Sequence, residues 1–269
     1  MKGRAGLIAV LAVALAVAAC QRATRHSRSS QKSRDPSLTG APVKDILADR
    51  AAYLDEHFSE ASIPDDVNAA ITSVDKGPVA FRKLVLVEEV TRTAGARVDV
   101  SQANRTLTPL GGALVREVEE FSSHDIPTTQ RYAVTYRGLL RIRMQTVSLR
   151  ADNARVIVET RTFAHVDPAS ATAAEIKFSY TVGVTGNRSL PPSDQQLNCK
   201  AGKKSPASQI NPALAGDATD FTCETILRNG VPESRATFSF LQNYGVALVR
   251  GTTDAEATTT TKLLSLTVE

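Results

Sequence analysis

From Val79 to the end of the chain, apolar and polar residues alternate with a period of two. The segment from Ile176 to Val184 shows the pattern best, with apolar residues at even positions and Lys, Ser, Thr or Gly at most odd ones. This period places one face of a strand in a core and leaves the other polar. After residue 76 no strands alternate with long helices, which argues against a parallel α/β sheet. The pattern therefore predicts antiparallel pairing.

About nine or ten strands of this kind are predicted. Asn229-Gly230, between two alternating runs, is a dipeptide typical of hairpin turns. One strand is predicted to be long, over residues 132–144, with a bend or bulge at Gly138 in its middle. The fold class expected is α+β, mostly antiparallel β, built as a β-sandwich or a curled partial barrel. The predicted strands cover residues 84–90, 114–121, 132–144 (continuing to 149), 156–166, 176–184, 221–227, 236–240, 245–249 and 262–268.

Two amphipathic helices are predicted ahead of the strands. Residues 42–59 carry apolar side chains at helical spacing, and Pro42 suits a first helical turn. A shorter helix over residues 64–74 begins with Pro64 and two aspartates. We expect the helices to pack on the sheet within a single domain, residues 42–269. A subdivision near residues 167–174 is the alternative.

The positive charge of the chain is concentrated at its N-terminus. The sequence has 32 Lys and Arg against 28 Asp and Glu, a net charge of +4. Residues 1–34 contain seven basic residues and no acidic one, so 25 basic and 28 acidic residues remain from Asp35 onward, a net charge of −3. There is also no Trp, and only 5% of residues are aromatic. A folded domain of this composition argues against nucleic acid as a partner.

The first twenty residues have the features of an export signal. Lys2 and Arg4 precede an apolar run that is shorter than a membrane span and ends at Cys20. The last four residues, Val17-Ala18-Ala19-Cys20, resemble the lipobox of bacterial lipoproteins. That resemblance implies a signal peptide over residues 1–19, removal of this peptide, and acylation of Cys20, which would anchor the protein in membrane lipid. An ordinary secretory signal cut after Ala18 is the alternative.

A polar segment follows the signal. Residues 20–41 are rich in Ser and Arg and show no hydrophobic periodicity, which is typical of a flexible tether. Its five basic residues would lie near anionic headgroups, or would serve only to keep the linker soluble. Gln21 follows the cysteine, where an Asp would resemble an inner-membrane retention signal. We therefore expect a lipid-anchored protein of the bacterial cell envelope, at the outer membrane and facing the periplasm.

Three cysteines are an odd number for an exported protein. If Cys20 is acylated, Cys199 and Cys223 remain as one pair in a compartment that permits disulfides. We predict a bridge between them, and two free buried thiols are the alternative. A metal site is disfavoured, because neither a Cys-x-x-Cys spacing nor a neighbouring His accompanies the pair.

The sequence contains none of the common catalytic motifs, neither a Gly-x-Ser-x-Gly elbow nor a phosphate loop nor a His-Glu-x-x-His helix. We therefore expect no catalytic residues, no metal and no cofactor. Arg137, Arg141 and Arg143 form a stripe on one predicted strand face, readable as a site for an anionic ligand or as a solvent-facing charge ladder. Glu117 and Glu119 are predicted to lie on a partly solvated sheet surface.

Two functional hypotheses follow. The first is a non-enzymatic binding or assembly module, held at a membrane through Cys20, with an envelope protein or glycan as its partner. The second is an exported hydrolase or small-ligand carrier with a site built from dispersed residues. The second requires a largely apolar cavity or a cleft with converging His, Asp or Glu side chains. A filled sheet interior with scattered acids would exclude it.

Overall fold

The computed structural model describes residues 39–187 and 190–269. The predicted signal peptide, Cys20 and the tether up to residue 38 lie outside the described residues. The described part of the chain forms three short helices followed by strands. The helices are α1 (Val43–Ala48), α2 (Arg50–His57) and α3 (Asp65–Val74). The strands are β1 (Leu84–Ala94), β2 (Arg97–Gly111), β3 (Leu114–Ser123), β4 (Ile126–Tyr136), β5 (Leu140–Ser148), β6 (Val158–Val166), β7 (Glu175–Val184), β8 (Ser193–Pro206), β9 (Asp217–Leu227), β10 (Pro232–Leu241), β11 (Val246–Asp254) and β12 (Thr258–Val268).

The strands form a closed barrel of twelve. Each strand pairs antiparallel with its neighbour in the chain, and β1 pairs with β12 to close the ring. The prediction of a mostly antiparallel β protein with a few helices is confirmed. The prediction of a sandwich or partial barrel with nine or ten strands is wrong, because the two edge strands, β1 and β12, pair with each other and leave no open edge.

The strand number was underestimated because two strands do not show clear alternation. In β2, residues facing the interior include Ser101 and Arg105, while Val98 and Val100 are exposed. In β8, a run of exposed residues follows Cys199. Polar groups at interior positions of β2 and the run of exposed residues in β8 remove the hydrophobic period on which strand prediction depends. Residues 200–206, which the sequence period assigns to no strand, belong to β8.

The predicted long strand over residues 132–144 is in fact the hairpin of β4 and β5. Arg137 and Gly138 both have positive φ, +48° and +72°, and the chain reverses there instead of bending. A Cβ on Gly138 would lie 2.2 Å from the carbonyl oxygen of Ala247, so only glycine fits this turn. The Ala247 amide also donates to the Arg137 carbonyl oxygen at 2.8 Å, which attaches the hairpin to β11.

Barrel closure depends on two short ladders. β5 and β6 are paired only through Arg143 with Glu159 and Met144 with Val158. β11 and β12 are paired only over Gly251–Thr253 and Thr258–Thr260. Most other neighbours are paired along eight or more residues. The barrel therefore has two narrow seams.

The helices cover one side of the barrel wall. The predicted helix over residues 42–59 is broken at Asp49, whose φ of −142° is not helical and whose side chain accepts from the Ala52 amide at 3.0 Å. Phe58 follows α2, is fully buried, and meets Tyr132 of β4 with ring centroids 5.8 Å apart. Burying a side chain of this size contributes about 1.5–3 kcal/mol to stability.

The folded part begins before α1. The Gly40 amide donates to the Ala154 carbonyl oxygen at 3.2 Å, and the Ala154 amide donates to the Ala41 carbonyl oxygen at 2.9 Å. A Cβ on Gly40 would lie 2.5 Å from the carbonyl oxygen of Arg155. The last residues of the predicted tether are thus packed against the segment after β5.

The described residues belong to one compact unit. β6 and β7 flank the predicted subdivision at residues 167–174, and these two strands pair directly with each other. That segment therefore connects neighbouring strands of one barrel. Across the described residues, no helix is both long and apolar enough to span a membrane.

Candidate binding cavity inside the barrel

The interior of the barrel is not filled by side chains. One cavity of about 370 Å³ is lined by residues from ten of the twelve strands, β2 to β11. Only a space inside the ring can touch so many strands. Its wall on the β5–β11 side combines apolar residues, namely Met144, Tyr180, Val182, Leu197, Phe238 and Val249, with polar ones that include Glu159, Gln195 and Glu233. Its other end is polar and includes Arg105, Glu117, Thr135 and Arg141.

A second cavity, also of about 370 Å³, lies next to the first. It is lined by β1 to β5 together with β11 and β12, and its lining is more polar. The two cavities share Arg105, Arg141, Val249 and Thr252. They therefore meet at the two arginines.

A row of charges crosses the wall beside this junction. The strand register places Glu119 of β3 opposite both Arg105 of β2 and Arg131 of β4. Arg105 Nη2 lies 2.7 Å from Glu119 Oε1, and Arg131 Nη1 lies 2.7 Å from Glu119 Oε2. Arg105 Nε also lies 3.1 Å from Glu88 Oε2, without the alignment of a hydrogen bond. Two guanidiniums are thus held in place by one central carboxylate.

Burial and neighbouring charges give these carboxyl groups different acidities. Burial raises the pKa of Glu88 to about 7, although Arg105 opposes the change. For Glu119 burial acts in the same direction, but Arg105, Arg131 and Arg141 outweigh it and hold its pKa at about 2. Glu119 is therefore ionised at neutral pH, whereas Glu88 is only partly so.

Glu117 is the third carboxyl of the cluster. Burial raises its pKa, and the charge of Glu119 acts in the same direction while Arg105 opposes it. Its Oε1 atom is buried and has no hydrogen-bond partner among the described residues. The cluster thus holds three carboxyl groups and three guanidiniums, and Glu119 alone is paired with two of the guanidiniums.

Arg141 is the guanidinium without a partner. Within the described residues it makes no hydrogen bond and no ion pair, although it lines both cavities. Its side chain is accessible to solvent, and it lines both cavities, so water or a ligand can reach it from the interior. Burial and the nearby Arg131 lower its pKa, whereas Glu117 and Glu119 act to raise it.

The predicted stripe of Arg137, Arg141 and Arg143 is not assembled on one face. Arg137 lies in the β4–β5 turn, where Nη2 is 2.7 Å from Asp75 Oδ1 and Nη1 donates to the Gly245 carbonyl oxygen at 2.9 Å. It therefore fastens the segment after α3 to the barrel.

Arg143 faces the helices. Its Nε donates to the His57 carbonyl oxygen at 2.7 Å, and its Nη1 pairs with Glu159. The pairing of β4 with β5 skips Ile142, since Val134 is opposite Arg143 and Thr135 is opposite Arg141. This irregularity turns Arg141 and Arg143 to opposite faces of β5.

Other expectations about charged and polar residues also need correction. Glu117 and Glu119 are 4% and 1% exposed, so they line the interior and do not lie on a solvated surface. Sequence reasoning missed Glu88 and Arg105 as members of the cluster. The sequence does contain one signal for Arg105. It is two residues from both Ala103 and Leu107, so on a strand it shares their face, and both of those residues are fully buried.

The two cysteines predicted to form a disulfide line neither interior cavity. A disulfide joins Cys199 and Cys223, which are directly opposite each other on β8 and β9. Cys20 lies outside the described residues. In the part of the chain that the structure describes, no three His, Cys, Asp or Glu side chains are grouped so as to hold a metal ion.

Known proteins offer limited comparison. No protein-family model and no curated protein matches the chain. Among solved structures it is similar to a DUF1329 family protein from Desulfovibrio piger, at 11% identity over 77% of this chain and 94% of that one, with a TM-score of 0.38. It is also similar to a putative outer membrane lipoprotein-sorting protein domain from Vibrio parahaemolyticus, at 9% identity over 75% and 90%, with a TM-score of 0.40. TM-scores of this size do not establish a shared fold, so the function has to be inferred from the residues of this chain.

Proposed function

We propose that this chain is a non-enzymatic binding module of the bacterial envelope, anchored through acylated Cys20, whose barrel holds a small and partly apolar ligand. The observation that carries the proposal is the interior cavity of about 370 Å³, whose lining has more apolar than polar surface and includes a few charged groups. A concave and mostly apolar space with a few polar groups is the usual form of a small-molecule site. This proposal joins the binding module of the first hypothesis with the carrier of the second.

Anchoring is supported by the N-terminal sequence alone. The apolar run ending in Val17-Ala18-Ala19-Cys20 resembles a lipobox, and the polar segment after it would give the barrel freedom to move near the membrane. Replacing Cys20→Ala is expected to move the protein from the membrane to the soluble fraction. If fractionation is unchanged, anchoring through Cys20 is wrong. Separation of inner and outer membranes would test the placement at the outer membrane that Gln21 suggests.

Ligand uptake can be tested with N-phenyl-1-naphthylamine, an uncharged dye that fluoresces in apolar surroundings. The full chain carrying Cys20→Ala, purified without detergent, is expected to bind the dye saturably. Ala236→Trp fills part of the apolar cavity and should abolish binding, whereas Ala255→Trp on the surface should not.

Each variant needs a melting curve, because a bulky side chain inside the barrel can unfold it. Thr225→Phe, at another partly exposed wall position, provides a second way to fill the cavity. Equal dye binding by the wild type and by both folded cavity variants would rule out the interior as the ligand site.

A hydrolase is the second candidate, because the barrel interior contains a cavity and acidic side chains converge on it. Glu117, with its raised pKa, and Glu119, with a pKa of about 2, could serve as proton donor and as ionised partner. A panel of nitrophenyl esters and glycosides tests this. Turnover that is lost in Glu117→Gln would favour the hydrolase, and turnover no faster than in buffer favours the binding module.

A further inference from the structure

We propose that Arg141 is the anchor of an anion site at the junction of the two cavities, which takes the single carboxylate of an otherwise apolar molecule. This inference rests on the proposed function, because it assigns the chemistry of the ligand that the barrel holds. The carboxylate would lie against the Arg141 guanidinium, and the apolar part would extend along the wall formed by β5 to β11.

The first argument is the lack of any partner for Arg141. A guanidinium carries five N–H donors, and those of Arg141 are accessible from the cavities and are not used by protein acceptors among the described residues. Arg137 and Arg143, on the same hairpin, each have a carboxylate and backbone carbonyl oxygens as partners. Arg141 has neither among the described residues, although it lies at the junction of two interior cavities.

The second argument is the charge balance around Arg141. The charged groups that act on it are Arg105 of β2, Glu117 and Glu119 of β3, and Arg131 of β4. Glu119 is already engaged by Arg105 and Arg131. Glu117 makes no hydrogen bond to Arg141. Arg141 is therefore the guanidinium of the three whose donors remain open to a ligand.

The third argument concerns the type of anion. A carboxylate fits the fork of one guanidinium through two parallel hydrogen bonds. A phosphate dianion would need more free cations than this junction offers, because Arg105 and Arg131 are held by Glu119. The ionised Glu119 nearby would also oppose a second negative charge.

The fourth argument is the lining of the larger cavity. Beyond Arg141 it continues past the apolar side chains of Met144, Val182, Leu197, Phe238 and Val249, with Glu159, Gln195 and Glu233 as the main polar groups between them. Its volume corresponds to that of about a dozen water molecules in the liquid. An unbranched or compact apolar group attached to the carboxylate would fit this space.

Calorimetric titration with octanoate, octan-1-ol and octyltrimethylammonium tests the inference. These probes share the apolar chain and differ in charge. The full chain carrying Cys20→Ala should bind octanoate at least about tenfold more tightly than octan-1-ol, since a hydrogen-bonded charge pair contributes that much or more. Octyltrimethylammonium should bind most weakly.

Variants assign the preference to Arg141. Arg141→Gln should remove the advantage of octanoate and leave octan-1-ol binding unchanged. Arg141→Lys should retain part of the advantage. Arg235→Gln, which removes an exposed arginine paired with Glu224, is the matched control and should behave as the parent chain does.

The outcomes separate the two proposals. If octan-1-ol binds and octanoate has no advantage, the anion site is wrong and the proposed function stands. If no probe binds, both are wrong. A second measurement uses NMR on the parent chain. The Nε resonance of Arg141 should shift when octanoate is added and should not shift when octan-1-ol is added. A shift of equal size with both ligands would contradict the inference.

Discussion

Glu119 occupies the centre of the interior charge row, between Arg105 and Arg131. It is 1% exposed, and Arg105 beside it is 4% exposed. A buried ion pair adds little net stability, because desolvation offsets its attraction, but removal of one partner leaves an uncompensated charge. The charge row as a whole therefore adds little net stability, whereas loss of Glu119 alone is costly.

Glu119→Gln is expected to lower the free energy of unfolding by about 3 kcal/mol, since it leaves Arg105 without its closest carboxylate. Urea denaturation measures this. Glu224→Gln breaks the exposed pair with Arg235 and should cost about 1 kcal/mol or less. Equal losses in the two variants would show that the interior row is not the stronger electrostatic unit.

Gly138 offers a second test at single-residue scale. Gly138→Ala meets both an unfavourable φ of +72° and a contact of 2.2 Å with the Ala247 carbonyl oxygen. Gly230→Ala has a similar φ of +77° but nothing within 4 Å. The Gly230 variant should lose about 1 kcal/mol of stability and the Gly138 variant clearly more, because only the latter must also displace β11. Similar melting temperatures would contradict the close packing at Ala247.

At the scale of elements, β8 and β9 form a long hairpin that the Cys199–Cys223 disulfide crosses. The bridge joins residues 24 apart in sequence, and it keeps the segment around residues 207–214 closed even when the chain unfolds. The ladder holds the same two strands together in the folded state. The bridge therefore acts mainly by restricting the unfolded chain.

Reduction of this disulfide is expected to lower the free energy of unfolding by about 3–4 kcal/mol, following the loop-entropy relation. The measurement is urea denaturation with and without reductant. A chain with both Cys199→Ala and Cys223→Ala is the control, and reductant should leave its midpoint unchanged. No change in the parent chain on reduction would show that the hairpin ladder alone restricts this segment.

At the scale of the whole molecule, the enclosed charges make stability depend on pH. Burial raises the pKa of Glu88 to about 7, above that of an exposed glutamate near 4.5, so the folded state binds more protons than the unfolded chain between these values. Glu88 therefore makes stability fall as pH rises from about 4.5 to 7. Glu119, with a pKa of about 2, makes stability fall as pH drops below about 4.5.

The free energy of unfolding is thus expected to be highest near pH 4.5 to 5 as far as these two groups determine it. In Glu88→Gln the decline from pH 5 to 7 should become shallower, by up to about 3 kcal/mol over the range. Chemical denaturation at several pH values gives the slopes. The slopes of the free energy against pH are compared, and not its absolute values, because Glu88→Gln also removes a partner of Arg105 and so changes the stability at every pH. An unchanged slope would show that Glu88 titrates normally.

The amino-acid sequence alone determined the antiparallel β class and the helical start of the domain, since both follow from local periods in the chain. It also paired Cys199 with Cys223 by arithmetic, but it placed Arg137, Arg141 and Arg143 in one stripe without distinguishing between them. The twelve strands and their closure were not predictable in this way, because β2 has polar residues at interior positions, β8 has a run of exposed residues, and β4 continues into β5 without a break in apolar spacing.

Only the tertiary structure decided which charges are enclosed and which are free. The register across β2, β3 and β4 brings Glu119 between two arginines that lie 26 residues apart in sequence. The skipped residue Ile142 turns Arg141 to the cavities and Arg143 to the helices. A sequence period records which face a side chain takes on an ideal strand, whereas pairing partners and strand irregularities are set by contacts between distant segments, and those contacts create the interior cavity.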